Sequence, residues 1–268
     1  MINKKYLKNV RSKEINKKND FIFNLYNERI IDSLDLINLN FKKILILGNH
    51  GSKMTEFINK KYQGSSLTIF DLSLNNFDLD YWKTEKDNYD LIISNFYLFL
   101  SDNLDNLFKK IIDYLNSNGF FIATMPTQGN FNSLKEAMIK TDIDLYGGVY
   151  SRFNQFLNLD EILKLLKKNN FKIPIINFET IELQYKKLKN LLNDLRSMRL
   201  SYYNIDKKQK FESRNYLVKL EKNFKKNIQN NFIISTNFYI ISGWKDHHSQ
   251  QKPLRPGQAK NSLKEFLK

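Results

Sequence analysis

The sequence predicts an α/β fold, a doubly wound and mostly parallel sheet with helices on both faces. Three observations carry that prediction. Four short apolar runs recur along the first half: KKILILG ending at Gly48, LTIFD at 67–71, YDLIISN at 89–95 and SNGFFIATMP at 117–126. Continuous apolar runs of this length are the mark of strands buried on both faces. Segments of helical character separate them, at 53–61 and 104–115, so strand and helix alternate. Finally, the first run ends in a glycine turn and the second in a carboxylate, Asp71, features that belong at the ligand-binding edge of such a sheet.

The remaining elements follow in chain order. Residues 1–19 are polar and basic and are expected to form a flexible arm. One domain is expected over 20–268. Phe21, Leu25, Ile30, Ile31, Leu34, Leu36 and Ile37 recur at helical spacing and predict one or two N-terminal helices. In the second half, 160–169 reads as a helix and 171–183 as a strand. Long Lys-rich stretches at 185–203 and 206–230 read as helices, which makes a helical insertion of about 184–229 before the last strand. That strand, Phe232 to Trp244, is aromatic and β-branched. A C-terminal tail, 244–268, holds two of the four prolines, Pro253 and Pro256, which should keep it extended against the sheet edge. No internal repeat is visible.

Composition excludes several classes. The chain has 268 residues, 41% of them hydrophobic and 14% aromatic, enough to bury a core and too apolar for disorder. The net charge is +15, but Lys outnumbers Arg by 36 to seven and is spread among Asn and Ile. That pattern reads as a solvated basic surface and not as specific nucleic-acid recognition. Cysteine is absent, which excludes disulfides, thiolate metal sites and a Cys nucleophile. The three histidines are His50, His247 and His248. The adjacent pair would point opposite ways in an extended chain, so no metal site is expected. No apolar window is long enough for a membrane span and no targeting segment is visible, so a cytoplasmic protein is expected.

The stretch ILILGNHGSKMTEF is a strand, a tight turn and a helix start. Gly48 and Gly51 allow close backbone approach to a ligand. Their spacing is neither the dinucleotide pattern nor a phosphate-binding loop, so a plain strand-to-helix loop is the simpler alternative. Asp71 stands a little over twenty residues on, where a carboxylate accepts hydrogen bonds from ribose hydroxyls; a helix N-cap is its alternative role. Turn and carboxylate together favour an adenosine-containing ligand.

These residues resemble a family. The strand, glycine turn, Asp71, YDLIISN and NSNGFFIAT look like a class I S-adenosylmethionine-dependent methyltransferase. Gly147-Gly148, LLNDLRSM at 191–198 and the tail FYIISGWKDHHSQQKPLRPGQAK narrow it. They are similar to the bacterial relatives of the mitochondrial complex I assembly factor that hydroxylates an arginine, a branch related to the malonyl-carrier-protein methyltransferase of biotin synthesis. The resemblance runs from Phe21 to the C-terminus. It implies a Rossmann-like, seven-stranded class I methyltransferase fold with S-adenosyl-L-methionine as cofactor. Position by position, Gly48, Asn49, His50, Gly51 and Ser52 match the cofactor turn and Asp71 the ribose carboxylate. Asp78 matches the acidic position near the adenine, and Ser94 and Asn95 the end of the fourth strand, which faces sulfonium and substrate. The chain departs from the family at Ile46, where an acid is usual, at His50 and Ser52 in place of glycines, and at Phe99-Leu100 in place of His-Trp.

Methyl transfer asks for in-line positioning and exclusion of water. Tyr97, Tyr150, Arg152 and Arg196 are the candidates for positioning substrate, the arginines because a bidentate fork in a Lys-biased chain suggests a use for it. Surface ion pairing is their plainer role. Tyr202 and Tyr203 read as core. The expected function is an enzyme that modifies a protein, by resemblance an arginine in complex I assembly. A non-catalytic assembly chaperone and a small-molecule or carrier-protein methyltransferase are the alternatives. The chain ends are the most basic parts, with seven Lys/Arg against one acid in 1–18 and six against two in 245–268, which suits an acidic protein partner and only weak polyanion binding.

Overall fold

The computed structural model describes residues 1–11, 21–48, 51–71, 78–80, 88–197, 202–207 and 212–250. Its centre is one sheet, with β1 (Lys43–Leu47), β2 (Ser66–Phe70), β3 (Tyr89–Asn95), β4 (Leu115–Pro126), β5 (Lys172–Tyr185) and β6 (Phe232–Trp244) in the spatial order β2-β1-β3-β4-β6-β5. The β2-β1-β3-β4 pairs are parallel, and β6 is antiparallel to both neighbours. Six strands are seen among the described residues. Residues 72–77 and 81–87, between β2 and β3, lie outside them, so the expected count of seven is not tested there.

The strands bury both faces because their apolar residues are continuous. Ile44 and Ile46 of β1 point into one half of the core, and Leu45 and Leu47 into the other. The first half is covered by α2 (Phe21–Asp35), α3 (Gly51–Lys61), α5 (Asn132–Tyr146), α7 (Leu188–Ser197) and α8 (Arg214–Asn223), through residues such as Tyr26, Met54, Leu134, Leu191 and Leu220. The second is covered by α1 (Lys4–Arg11), α4 (Leu104–Tyr114) and α6 (Leu159–Lys168), through Leu7, Phe108 and Ile162. Local signals set the helix starts. Asn158 and Glu161 form a reciprocal capping box on α6, Asn103 caps α4 and Ser213 caps α8. No helix among the described residues is long and apolar enough to cross a membrane.

The N-terminus departs from the expected flexible arm over residues 1–11. Leu7 is buried, the Asn3 amide donates to the Tyr203 carbonyl at 2.7 Å, and the Ile2 amide donates to Asp102 Oδ1 at 2.8 Å. A short amphipathic helix with one good apolar anchor docks by side-chain and backbone bonds that composition does not reveal. Between β5 and β6 the described helices are 188–197 and 214–223, whereas 202–207 and 224–230 are not helical as the Lys-rich stretches suggested. Of the tail, residues 251–268, with both prolines, lie outside the described residues.

Candidate functional site at the carboxyl edge of the sheet

The chain leaves β1 toward β2 on one side, while β3 pairs with β1 on the other. The crevice outside the carboxyl ends of β1 and β3 is therefore the switch point at which open α/β sheets bind ligands. Gly48 ends β1 at φ +91, and its amide donates to the Phe70 carbonyl at 2.7 Å, tying the turn to the end of β2. A Cβ on Gly48 would lie 2.8 Å from Cγ of Tyr97, so the turn tolerates no side chain there. Gly51 (φ +73) opens α3 with nothing within 4 Å of its would-be Cβ. The start of this 11-residue helix stands beside the end of β1. Ser52 is exposed on the first turn of α3; Asn49 and His50 lie outside the described residues. Asp71 directly follows β2 and is fully buried.

Beyond β2, Asp78 accepts from Lys4 Nζ at 3.0 Å and from the Asp80 amide at 2.9 Å. Asp80 is the hub of this loop. It also takes Lys4, the Ser101 hydroxyl at 2.5 Å and the Asp102 amide at 3.1 Å. Burial works against its charge, but these donors hold its carboxyl below the usual carboxylate range. The basic start of the chain is thereby fastened to the loop expected near the adenine.

At the end of β3, the Ser94 hydroxyl donates to the Leu47 carbonyl at 3.2 Å. Asn95 is saturated: its amide donates to Asn27 Oδ1 at 2.7 Å and its carbonyl oxygen accepts from the Thr124 hydroxyl at 2.5 Å. This buried network joins α2, β3 and β4. Phe96 follows at φ 48, a region costly for an aromatic residue, its amide held by Thr124 and its ring stacked 4.1 Å from Tyr26. The Tyr26 hydroxyl bonds Thr236 of β6, and burial pushes the phenol above its ordinary range. Tyr97, also buried, lies across Gly48.

The other expected substrate residues stand elsewhere. Arg152 is clasped by Asp142 (Nε to Oδ2, 2.9 Å) and Glu212 (2.7 Å), with its guanidinium 4.6 Å from the Tyr216 ring centroid. Its fork thus serves this chain's own carboxylates and braces α5 against the segment entering α8. Tyr150 packs edge-on against Tyr146 beside that cluster, and its amide donates to Asp142. Arg196 is exposed on α7, near Asn193. Of the four, the structure brings Tyr97 to the glycine turn. Sequence reasoning missed Asn27, Thr124, Lys4 and Asp80, polar residues whose partners lie far along the chain. Tyr202 and Tyr203 are core, as read. No group of three or more His, Cys, Asp or Glu among the described residues could hold a metal ion.

With this geometry the comparisons with known proteins agree. Residues 42–174 match the family model described as a methyltransferase domain. The arginine-hydroxylase NDUFAF5, mitochondrial, of Dictyostelium discoideum is 31% identical over 187 residues, 68% of this chain and 42% of that protein. The human protein of the same name is 22% identical over 265 residues, 93% of this chain and 77% of its own length. This chain therefore spans less than half the length of the Dictyostelium relative. Among solved structures, a methyltransferase-type protein of Bacillus halodurans superposes with a TM-score of 0.52 at 8% identity, covering 82% of this chain and 98% of that one, a likeness of fold. Residues 42–174 thus match a methyltransferase domain, the chain shares its fold with class I methyltransferases, and it is homologous to the mitochondrial arginine-hydroxylases.

Proposed function

We propose that this chain is an S-adenosyl-L-methionine-dependent, methyltransferase-like enzyme that modifies a protein, acting on an arginine side chain in the assembly of respiratory complex I. One observation carries the reading: the Gly48–Gly51 turn and the buried Asp71 carboxylate stand at the ends of adjacent strands, beside the switch point. A glycine-flanked turn, a helix N-terminus and a buried carboxylate are the groups that the amino-acid end and the ribose of the cofactor require. Asp71 would accept the ribose hydroxyls, and Gly48 and Gly51 would let the backbone approach the cofactor. When bound, the cofactor supplies an electrophilic sulfonium methyl. Phe96 stacked on Tyr26 in one half of the core, and Tyr97 across Gly48 in the other, are buried rings that would exclude water, and the Asn27–Asn95–Thr124 network holds the chain at Phe96 in place. The arginine comes from the names of the relatives, and a cytoplasmic location and an acidic protein partner belong to the same proposal.

Titration calorimetry with S-adenosyl-L-methionine tests it. Asp71→Ala should weaken binding by about 1.5–3 kcal/mol, the scale of a lost hydrogen bond to a charged group. An unchanged dissociation constant in a folded variant would remove Asp71 from the site.

A further inference from the structure

We propose that residues 1–11 form a strap at the carboxyl edge of the sheet, latched by Lys4, that releases as a unit to admit the cofactor and is held shut once the cofactor is bound. The inference rests on the cofactor reading of the Gly48 turn and adds to it the segment that closes that site. Placement is the first argument. β2, β1 and β3 are parallel neighbours in that order, so the segments that leave β2 and β3 flank the end of β1, where Gly48 stands. The strap is fastened to both. Lys4 Nζ donates to Asp78 at 3.0 Å and to Asp80, which follow β2, and the Ile2 amide donates to Asp102 Oδ1 at 2.8 Å, which follows β3. A third tie runs to the β5–β6 connection. There the Asn3 amide donates to the Tyr203 carbonyl at 2.7 Å, the Ile205 amide to the Met1 carbonyl at 3.2 Å, and Lys207 Nζ lies 3.8 Å from the Tyr6 ring centroid. Leu7 belongs to the same half of the core as Leu79, as Leu47 at the end of β1, and as Tyr97, the ring across Gly48.

The second argument is independence. Among residues 1–9, Leu7 is the buried side chain. The strap enters no ladder of the sheet and meets the β5–β6 connection through the isolated bridge Ile2↔Asn204. Its helix, α1, has eight residues, too few to persist as a helix away from the surface it docks on. Release therefore uncovers one leucine and leaves every strand pair intact, the signature of a unit that opens well below the cost of global unfolding. The third argument is the latch. Asp78 accepts from the Asp80 amide at 2.9 Å, and Asp80 also takes the Ser101 hydroxyl at 2.5 Å and the Asp102 amide at 3.1 Å. The two carboxylates are thus held in place by the loops themselves, and release of the strap removes their shared cation without moving them. Their adjacent negative charges draw Lys4 back, which makes closure the resting state and opening reversible.

Amide hydrogen exchange of the full chain, read by mass spectrometry on peptides covering 1–11 and 89–95, tests the strap, with S-adenosylhomocysteine as the probe and calorimetry to report its binding. In the unsubstituted protein 1–11 should exchange at least about a hundredfold faster than β3, by local opening. Lys4→Met should speed 1–11 several-fold and leave 89–95 unchanged. S-adenosylhomocysteine at about a hundred times its dissociation constant should slow 1–11 at least about tenfold, because a ligand bound by the closed state alone suppresses opening in proportion to its saturation. Equal exchange of the two peptides, which needs no variant to fold, overturns the strap as a separate unit. Exchange of 1–11 that Lys4→Met leaves unaltered overturns the latch. S-adenosylhomocysteine that binds by calorimetry and does not slow 1–11 overturns the closure and retains the cofactor reading. A chain that binds no S-adenosylhomocysteine refutes the cofactor reading, and closure over a cofactor with it.

Discussion

Replacing Gly48 with alanine examines the turn through two separable costs. At φ +91 an L-residue gives up about 1–2 kcal/mol of backbone energy. The new methyl would also lie 2.8 Å from Cγ and 3.0 Å from Cβ of Tyr97, a ring that is itself buried. Forcing a methyl into a packed site costs about 1–3 kcal/mol. The sum, about 2–5 kcal/mol, corresponds to a fall in Tm of roughly 5–15 °C for a chain of this size. Gly51→Ala is the control. It has φ +73 and nothing within 4 Å of the would-be Cβ, so it should show the backbone cost alone. Thermal and urea unfolding of Gly48→Ala, Tyr97→Ala and the double variant complete a cycle. Removing the ring should relieve the overlap and give a favourable coupling of about 1–3 kcal/mol. Equal losses for Gly48→Ala and Gly51→Ala, or a coupling near zero, would show that Tyr97 does not press on the turn.

The remaining predictions concern the two charged clusters. Arg152→Ala should cost about 3–5 kcal/mol in urea unfolding, because it strands the fully buried Asp142 carboxylate; a loss below about 1 kcal/mol would mean that the clasp is not a brace. Asp80 has a folded-state pKa below its ordinary value of 3.8, so its contribution is complete above that pH and is lost as pH falls from there through the folded value. Asp80→Asn should therefore lower stability at neutral pH and flatten the acid-side decline in a pH series of urea melts; curves that stay parallel to the parent's below pH 4 would contradict the assignment.

The sheet was legible because its strands are short, apolar and separated by helices. YDLIISN and Phe232–Trp244 were delimited to the residue, since the ends of both runs coincide with changes in polarity. Helix α5 was not. Its N-cap is Phe131 at φ 60 with no side-chain cap, and Thr127-Gln128-Gly129-Asn130 before it reads as loop. The docked N-terminus was hidden for another reason. Lys4 and Asp80 are 76 positions apart, and an ion pair between two such common residues leaves no local pattern. Arg152 shows the limit of arguing from rarity. A scarce arginine was indeed wanted for its fork, but by Asp142 and Glu212 of the same chain. Asn95 was placed from its position at the end of β3, whereas its saturation by Asn27 and Thr124 required the fold.

The pairing of β5 with β6, continuous from Ile175↔Ser242 to Tyr185↔Phe232, makes everything between Tyr185 and Phe232 the loop of one long hairpin. Closing a flexible loop becomes costlier only slowly with length, by about 0.6 kcal/mol per doubling. Length added to this connection outside α7 and α8, whose Leu188, Leu191, Tyr216 and Leu220 are buried in the core, therefore costs the strands little. One further tie limits such change. The start of the chain is fastened to this connection through the Asn3–Tyr203, Ile2–Asn204 and Met1–Ile205 backbone contacts, and to the loop after β2 through Lys4. A replacement that drops Tyr203–Ile205 would release α1 and, with it, the lysine that neutralises Asp78 and Asp80. Change in the β5–β6 connection is thus tied to the charge of the loop after β2 by eleven residues at the front of the sequence.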